Sequence, residues 1–371
     1  MKETWTPRHF EWPALGFLVV LFGLGVLTLF SIAEGRSGGH TPFYLKQLFV
    51  GLLGLMVFFG VILVDYHRAA RASYLLYGLT LVLLVLVLFK GTTVHGARRW
   101  LTLGPLSIQP SELMKLAAIL VWARMLAVRV RRGGIPVREL ALPVLLAIPP
   151  LVLMLKQPDL GTALSLPFTL VVMVLAAGLS SRTLTLSLVV APLALPFAWQ
   201  FFWMALKDYQ RERLLTFMNP AVDPLGAGYH LMQSKIAIGS GGFFGKGLFG
   251  GTQGLLRFLP EGHTDFVFAV FAETWGFVGV AVFLGVIVLM FRWGIEVVQK
   301  AKDPLGALMA CGLLAVLAFQ IAVNLAMAMG LMPVVGVPLP FVSYGGTALI
   351  TAMIALGLLV NIKMKRLMLL Y

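Results

Sequence analysis

Long apolar runs separated by short polar segments recur from residue 12 to residue 362 of this chain, and no other feature limits its fold so sharply. A run of roughly 18 or more apolar residues, coiled as an α-helix, matches the hydrocarbon thickness of a bilayer. Such runs are expected over 12–33, 43–64, 71–90, 112–130, 139–156, 159–179, 183–204, 266–291, 304–331 and 340–362. With 59% hydrophobic and only 12% charged residues, the chain has too little polar surface to fold as a water-soluble globule. The pattern predicts an all-α polytopic membrane protein with about ten transmembrane helices. All of 1–371 forms one domain, with a large extracytoplasmic loop, about 205–265, between the seventh and eighth helices. The first run is longer than a signal-peptide core and lacks a small-residue cleavage site, so it is expected as a retained helix. The single cysteine, Cys311, lies inside an apolar run and leaves no disulfide framework or cysteine metal site.

The net charge of +14 does not point to nucleic acid, because the basic residues cluster in short segments between apolar runs. Counted on alternate sides of the expected spans, 16 of the 29 Lys and Arg fall on the side of the two termini. Seven fall on the other side, and six lie in the long loop. The excess marks the side of the termini as cytoplasmic. Most acidic residues fall on the opposite side: Glu34, Glu112, Asp159, Asp208, Glu212, Asp223, Glu261, Asp265 and Glu273. Ionisable groups are costly to keep at a lipid boundary, so mixed charge there points to recognition or chemistry.

Four stretches on that face hold nearly all the suggestive polar residues. The first runs from Gly96-Ala97-Arg98-Arg99-Trp100 to Gln109-Pro110-Ser111-Glu112-Leu113-Met114-Lys115. Glu112 and Lys115 fall on one helical face, either as a local ion pair or as part of a site for a lipid diphosphate. The second, Lys156-Gln157-Pro158-Asp159-Leu160-Gly161-Thr162, is a tight turn between the fifth and sixth helices; the alternative is that Pro158 and Asp159 simply begin a helix. The third, Gln233 to Gln253, holds so many glycines that its N–H groups could approach an anion closely; a re-entrant loop is the alternative. A P-loop is excluded, because Gly247 follows Lys246 where Ser or Thr is needed. The fourth, Gly330 to Gly346, holds too many prolines and glycines for a continuous helix, so it is a kinked connection or lines a wet cavity.

Between the third and fourth stretches, Arg257 to Gly276 passes from a polar loop into a long apolar run, with Asp265 on the seam. A carboxylate there either caps the helix or remains poised as a base beside lipid. Glu261, His263 and Asp265 alternate in a way that also permits a metal, although one such cluster is a faint sign. Ser343 lacks the glycine pattern of a hydrolase nucleophile.

Together these motifs resemble the SEDS family of peptidoglycan glycosyltransferases over nearly the whole chain. The specific parts are Arg99-Trp100 with Gln109-Pro110-Ser111-Glu112 and Lys115, then Gln157 to Thr162, then Ile238-Gly239-Ser240-Gly241-Gly242. The most specific are Leu259-Pro260-Glu261 with His263-Thr264-Asp265-Phe266, and Pro338-Leu339-Pro340-Phe341 with Ser343-Tyr344-Gly345-Gly346. Asn219-Pro220, Asp223 to Tyr229 and Gly251-Thr252-Gln253 look more like the rod-shape branch of the family than its division branch. Thr274-Trp275 and Val335 depart from the family pattern, at positions that bear on substrate contacts.

The resemblance implies ten helices, cytoplasmic termini and polymerisation of lipid II at the extracytoplasmic face of the cell membrane, with release of undecaprenyl diphosphate. It also implies a class B penicillin-binding protein as partner, and it carries the family's essential aspartate onto Asp265. The expectation is that Asp265 takes the acceptor proton. Arg99, Lys115 and Lys246 would hold the diphosphate, helped by a divalent cation (Mg2+ or Mn2+), with Glu112 orienting Lys115. Asp159, Gln253, Glu261, His263 and Ser343 join them as substrate-binding candidates. Glu273, about 12 Å further along the helix at 1.5 Å per residue, would bind within the bundle without reacting. A lipid II flippase and a non-catalytic scaffold activating the penicillin-binding protein are the rival readings.

Overall fold

The computed structural model describes residues 10–33, 42–94, 97–103, 106–205, 208–219, 226–255, 258–259 and 261–367. Glu34, Asp223, Arg257 and Pro260, all used above, and both chain ends lie outside them. Among the described residues, ten long helices stand at the expected spans: α1 (Trp12–Ala33), α2 (Phe43–Leu63), α4 (Ser73–Lys90), α5 (Pro110–Ala127), α6 (Val137–Lys156), α7 (Leu160–Ala177), α8 (Ser181–Ala205), α12 (Val267–Gln299), α13 (Pro304–Ala328) and α14 (Gly346–Leu367). Eight are long and apolar enough to cross a membrane by length and composition; α5 and α8 complete the set. The protein is a polytopic membrane protein.

The least apolar of these spans lies at the centre. Helix α5 carries Glu112, Lys115 and Arg124 within 18 residues, yet 15 of those residues are buried. It packs against α4, α7, α13 and α14. At the periphery, Phe49, Leu52 and Met56 of α2 and Leu75 and Phe89 of α4 are mostly exposed. Lipid solvates such side chains without cost, so the bundle puts apolar groups outside and its few ionisable groups within. Helix α6 contains Pro143, Pro149 and Pro150. Pro150 leaves the carbonyl four residues back without its helical donor, and the Tyr77 hydroxyl donates to that Leu146 carbonyl at 2.6 Å.

The segment between α4 and α5 adds a small strand element to this helical architecture. It forms a three-stranded antiparallel sheet, β1 (Thr92–Val94), β2 (Ala97–Leu103) and β3 (Leu106–Ile108), with Thr92 opposite Trp100 and Leu101 opposite Ile108. Thr, Val, Trp and Ile occur here as they do in strands, but each run is so short that only pairing with its neighbours makes it one. A short helix, α3 (Tyr66–Arg71), precedes α4. Three more, α9 (Asp208–Met218), α10 (Ala227–Ser240) and α11 (Thr252–Leu255), lie in the long loop on the same side of the bundle as the sheet.

The glycine-rich stretch has a definite task. Helix α12 breaks at Gly276, where φ is 62° and ψ is −164°. Lys246 N–H and Gly247 N–H donate to the Glu273 and Thr274 carbonyls, both at 3.0 Å. In return, Phe277 N–H donates to the Gly242 carbonyl at 2.9 Å and Val278 N–H to the Phe243 carbonyl at 3.1 Å. The loop therefore takes up the backbone groups that the break leaves over, as a helix at membrane depth requires. A Cβ at Gly245 would lie 2.2 Å from the Thr274 carbonyl oxygen, so only glycine allows this approach. The N–H groups of Lys246 and Gly247 are thus spent on α12 carbonyls instead of on an anion.

Candidate functional site

Asp265 lies in the turn before α12, but the helix N-cap is Phe266 and no side chain caps it. The capping alternative for Asp265 therefore has no support in the geometry. The residue is partly exposed, and protein crowds its carboxylate. Burial, reinforced by the Glu261 charge, pushes its pKa up to about 6, against the opposing pull of Arg213 and Arg99; Asp159 adds a smaller upward push. Desolvation and like charge both disfavour the ionised form, so the group titrates near neutral pH and can exchange a proton there.

Two irregular segments build the wall around it. The Ser343 hydroxyl donates to the Thr264 carbonyl at 2.6 Å and accepts from Leu339 N–H at 2.8 Å. Tyr344 N–H donates to the His263 carbonyl at 2.9 Å, and Gln47 Nε2 to the Ser343 carbonyl at 3.0 Å. The His263 ring stacks on Phe43 with centroids 4.5 Å apart. Glu261 Oε2 accepts from the Thr264 hydroxyl at 2.7 Å. Ser343 and His263 thus hold the 261–266 turn against the 338–346 loop, and the Glu261 charge acts on Asp265.

Arg99 arrives from strand β2. Its guanidinium donates to the carbonyls of Gln157 and Pro158 and lies 3.7 Å from Asp159. Asp159 caps α7 by accepting from Thr162 N–H, and it also accepts from Gln109 Nε2 and the Ser111 hydroxyl, both at 3.1 Å. The unforeseen sheet thereby delivers a cation to the α6–α7 turn. Gly336, at φ +71°, lies between: a Cβ there would be 3.4 Å from Asp265 Oδ2 and 4.0 Å from Arg99 Nη1.

The other expected residues form two separate clusters. Glu112 and Lys115 are bonded at 2.7 Å, both buried, and the Thr351 hydroxyl of α14 donates to Glu112 at 3.0 Å. Lys246 is bonded to Glu273 at 2.7 Å, and Glu273 also accepts from the Thr252 N–H and hydroxyl and from Gln253 N–H. Of the three cations expected to gather round one diphosphate, only Arg99 stands beside Asp265.

Arg213 of α9 takes up a place that sequence reasoning gave to lysines. Its Nη1 donates to the Val334 carbonyl at 3.2 Å, and its charge acts on Asp265. Nothing local in Arg211-Glu212-Arg213 distinguishes it, since α9 is brought to the site by the fold. Asn324 was missed too, although a lone Asn in an apolar helix is itself a signal. Beside Arg213 lies an apolar cavity of about 180 Å³, lined among others by Pro158, Leu164, Phe319, Met332 and Val335. Among the described residues no group of three or more His, Cys, Asp or Glu is placed to hold a metal ion.

Comparison with known proteins finds relatives over nearly the whole chain. The family model described as "Cell cycle protein" (FTSW_RODA_SPOVE) matches residues 12–367. The peptidoglycan glycosyltransferase MrdB of Escherichia coli (strain K12) is 39% identical over 370 residues, covering 99% of this chain and 97% of that protein. The peptidoglycan glycosyltransferase RodA of Treponema pallidum is 33% identical, covering 96% and 98%. Among solved structures, a chain from work on the structural coordination of polymerization and crosslinking by a peptidoglycan synthase complex matches with TM-score 0.81 and 36% identity, covering 98% and 99%. The rod shape determining protein RodA of Thermus thermophilus matches with TM-score 0.70 and 33% identity, covering 96% and 97%. With an ionisable carboxylate among arginines in a bundle of apolar helices, and matches of this extent, the chain belongs to the FtsW, RodA and SpoVE family of cell cycle proteins.

Proposed function

We propose that this protein is a peptidoglycan glycosyltransferase that polymerises lipid II into glycan strands for cell-wall elongation. Both termini would be cytoplasmic, and the sheet and α9–α11 would face outward from the cell membrane. The observation that carries this reading is the Asp265 carboxylate set close to the Arg99 guanidinium across Gly336, with burial pushing its pKa up to about 6 against the pull of Arg213 and Arg99. The 4-hydroxyl oxygen of one sugar attacks the anomeric carbon of the other with inversion. As the new C–O bond forms, the proton passes to Asp265. The anomeric carbon–oxygen bond breaks with its electron pair going to undecaprenyl diphosphate, whose charge Arg99 and Arg213 stabilise.

Several features support the assignment. The apolar cavity beside Arg213 suits the start of a hydrocarbon chain, since an apolar cavity of about 150 Å³ already takes up benzene. The ionisable groups nearest Asp265 come from the sheet side of the bundle, whereas a flippase would set its key charges at the midplane in related half-repeats. One similar chain comes from a peptidoglycan synthase complex that couples polymerization to crosslinking, which supports a class B penicillin-binding protein as partner. An all-protein metal cage does not fit the described residues. A Mg2+ or Mn2+ carried by the diphosphate, with Glu261 as its protein ligand, does fit, because such ions are often held by one carboxylate and substrate phosphates; it would offset the leaving group's charge.

The test is purified protein with lipid II, with and without chelator and partner, read as glycan length. Polymer from the wild type and none from Asp265→Asn supports the reading. Near-normal polymer from Asp265→Asn, or lipid movement across vesicles without polymer, overturns it.

A further inference from the structure

Helix α13 is apolar along nearly its whole length, and Asn324 near its end is completely buried. A polar amide in such a helix must find partners or oppose folding. Both protons of its Nδ2 are used: one on the Asp265 carbonyl at 2.9 Å, the other on the Val337 carbonyl at 2.7 Å. The amide cannot be turned round, because Oδ1 would then face two carbonyl oxygens. As it stands, Oδ1 has no partner in the protein.

The two carbonyls belong to the two segments that matter most. One is the main chain of Asp265 itself. The other follows Gly336, whose Cα faces the gap between the Asp265 carboxylate and the Arg99 guanidinium. A single side chain on a rigid helix therefore sets the separation of the carboxylate from the wall opposite it. We propose that Asn324 is a positioning residue for the transfer reaction, holding Asp265 and the Gly336–Val337 main chain in register so that the carboxylate meets the acceptor hydroxyl. This inference rests on the reading of Asp265 as base. It adds that the placement of that base is decided from α13, by a residue that touches neither sugar nor diphosphate.

The experiment compares the full-length wild type with Asn324→Ala and Asn324→Ser, assayed with lipid II and partner across substrate concentration and pH, alongside melting temperature. A misplacement of about 1 Å can cost on the order of 100-fold in rate. The expected result is a kcat loss of about 10- to 100-fold per folded molecule, KM within about threefold of wild type, and a displaced acid limb of the kcat–pH profile. Asn324→Ser, which keeps one donor, should fall between wild type and Asn324→Ala. Gln320→Ala, one turn away on α13, should keep wild-type kcat. In an Asp265→Asn background, Asn324→Ser should cause no further loss.

Wild-type kcat and pH profile in folded Asn324→Ala overturns the proposal. So does a lowered melting temperature with unchanged turnover, which is what a merely structural residue would give, or failure of both variants to fold. If Asp265→Asn is inactive while Asn324→Ala is normal, only the positioning role fails. If Asp265→Asn is active, the base reading fails whatever Asn324 does.

Discussion

Two carboxylates bracket the first two turns of α12, and their surroundings could hardly differ more. Glu273 is wholly buried and receives hydrogen bonds from Lys246, Thr252 and Gln253. Asp265, eight residues earlier, is partly open, feels the charge of Glu261, and has cations nearby that only partly offset its desolvation. Glu273 thus ties the glycine-rich loop to the broken helix, while Asp265 is left with a proton affinity suited to chemistry. Residue type does not separate a carboxylate used as a fastening from one whose pKa is raised; the neighbours do.

The largest effect that would break this contrast is on activity. Asp265→Asn should lower polymerisation by about 100- to 10,000-fold, the usual contribution of a positioned base, measured as glycan formed from lipid II. The same variant should melt at a higher temperature. Because the folded pKa of about 6 lies above the ordinary value of 3.8, this carboxyl's favourable contribution is complete below pH about 4 and is lost as pH rises to about 6. At pH 7 the native state therefore carries a penalty of about 3 kcal/mol, which a neutral amide removes. Lower melting for Asp265→Asn would show that the carboxylate is structural after all.

Glu273→Gln should do the opposite. Replacing the charged acceptor of Lys246, Thr252 and Gln253 costs about 1–3 kcal/mol, so denaturant titration should show a clear loss of stability while turnover per folded molecule falls far less. Unchanged stability would erase the contrast.

Next in size is the pH dependence. Activity should decline about tenfold per unit as pH falls below about 6. Arg213→Gln removes a charge that holds the pKa down and should move this limb to higher pH. Glu261→Gln removes one that pushes it up and should move it lower. Shifts in the same direction for both would mean that Asp265 is not the titrating group.

The smallest expected effect concerns the third cluster. Thr351→Val removes one hydrogen bond to the buried Glu112–Lys115 pair and should cost about 1 kcal/mol in stability. The same cost in Lys115→Ala would show that the pair contributes little beyond that hydroxyl, since loss of the lysine should leave Glu112 buried and uncompensated.

Much of this was legible in the residues alone. Bilayer thickness and the need to satisfy every backbone group inside lipid leave helices as the solution for long apolar runs, which is why the spans could be counted. Asp265 stood out because it sits where a polar loop meets such a run. The strands at Thr92–Val94 and Leu106–Ile108 did not, since three-residue segments acquire their character from pairing.

The sequence by itself determined the membrane architecture and the presence of a carboxylate at its edge, because both follow from local hydrophobicity and charge. The Glu112–Lys115 pair follows from i, i+3 spacing on one helix, but tertiary structure alone decided the pairings between distant elements. Lys246 went to Glu273, and Arg213 came to Asp265 from a helix with no distinguishing pattern. Electrostatic coupling depends on distance and on exclusion of water, and neither is a property of spacing along the chain.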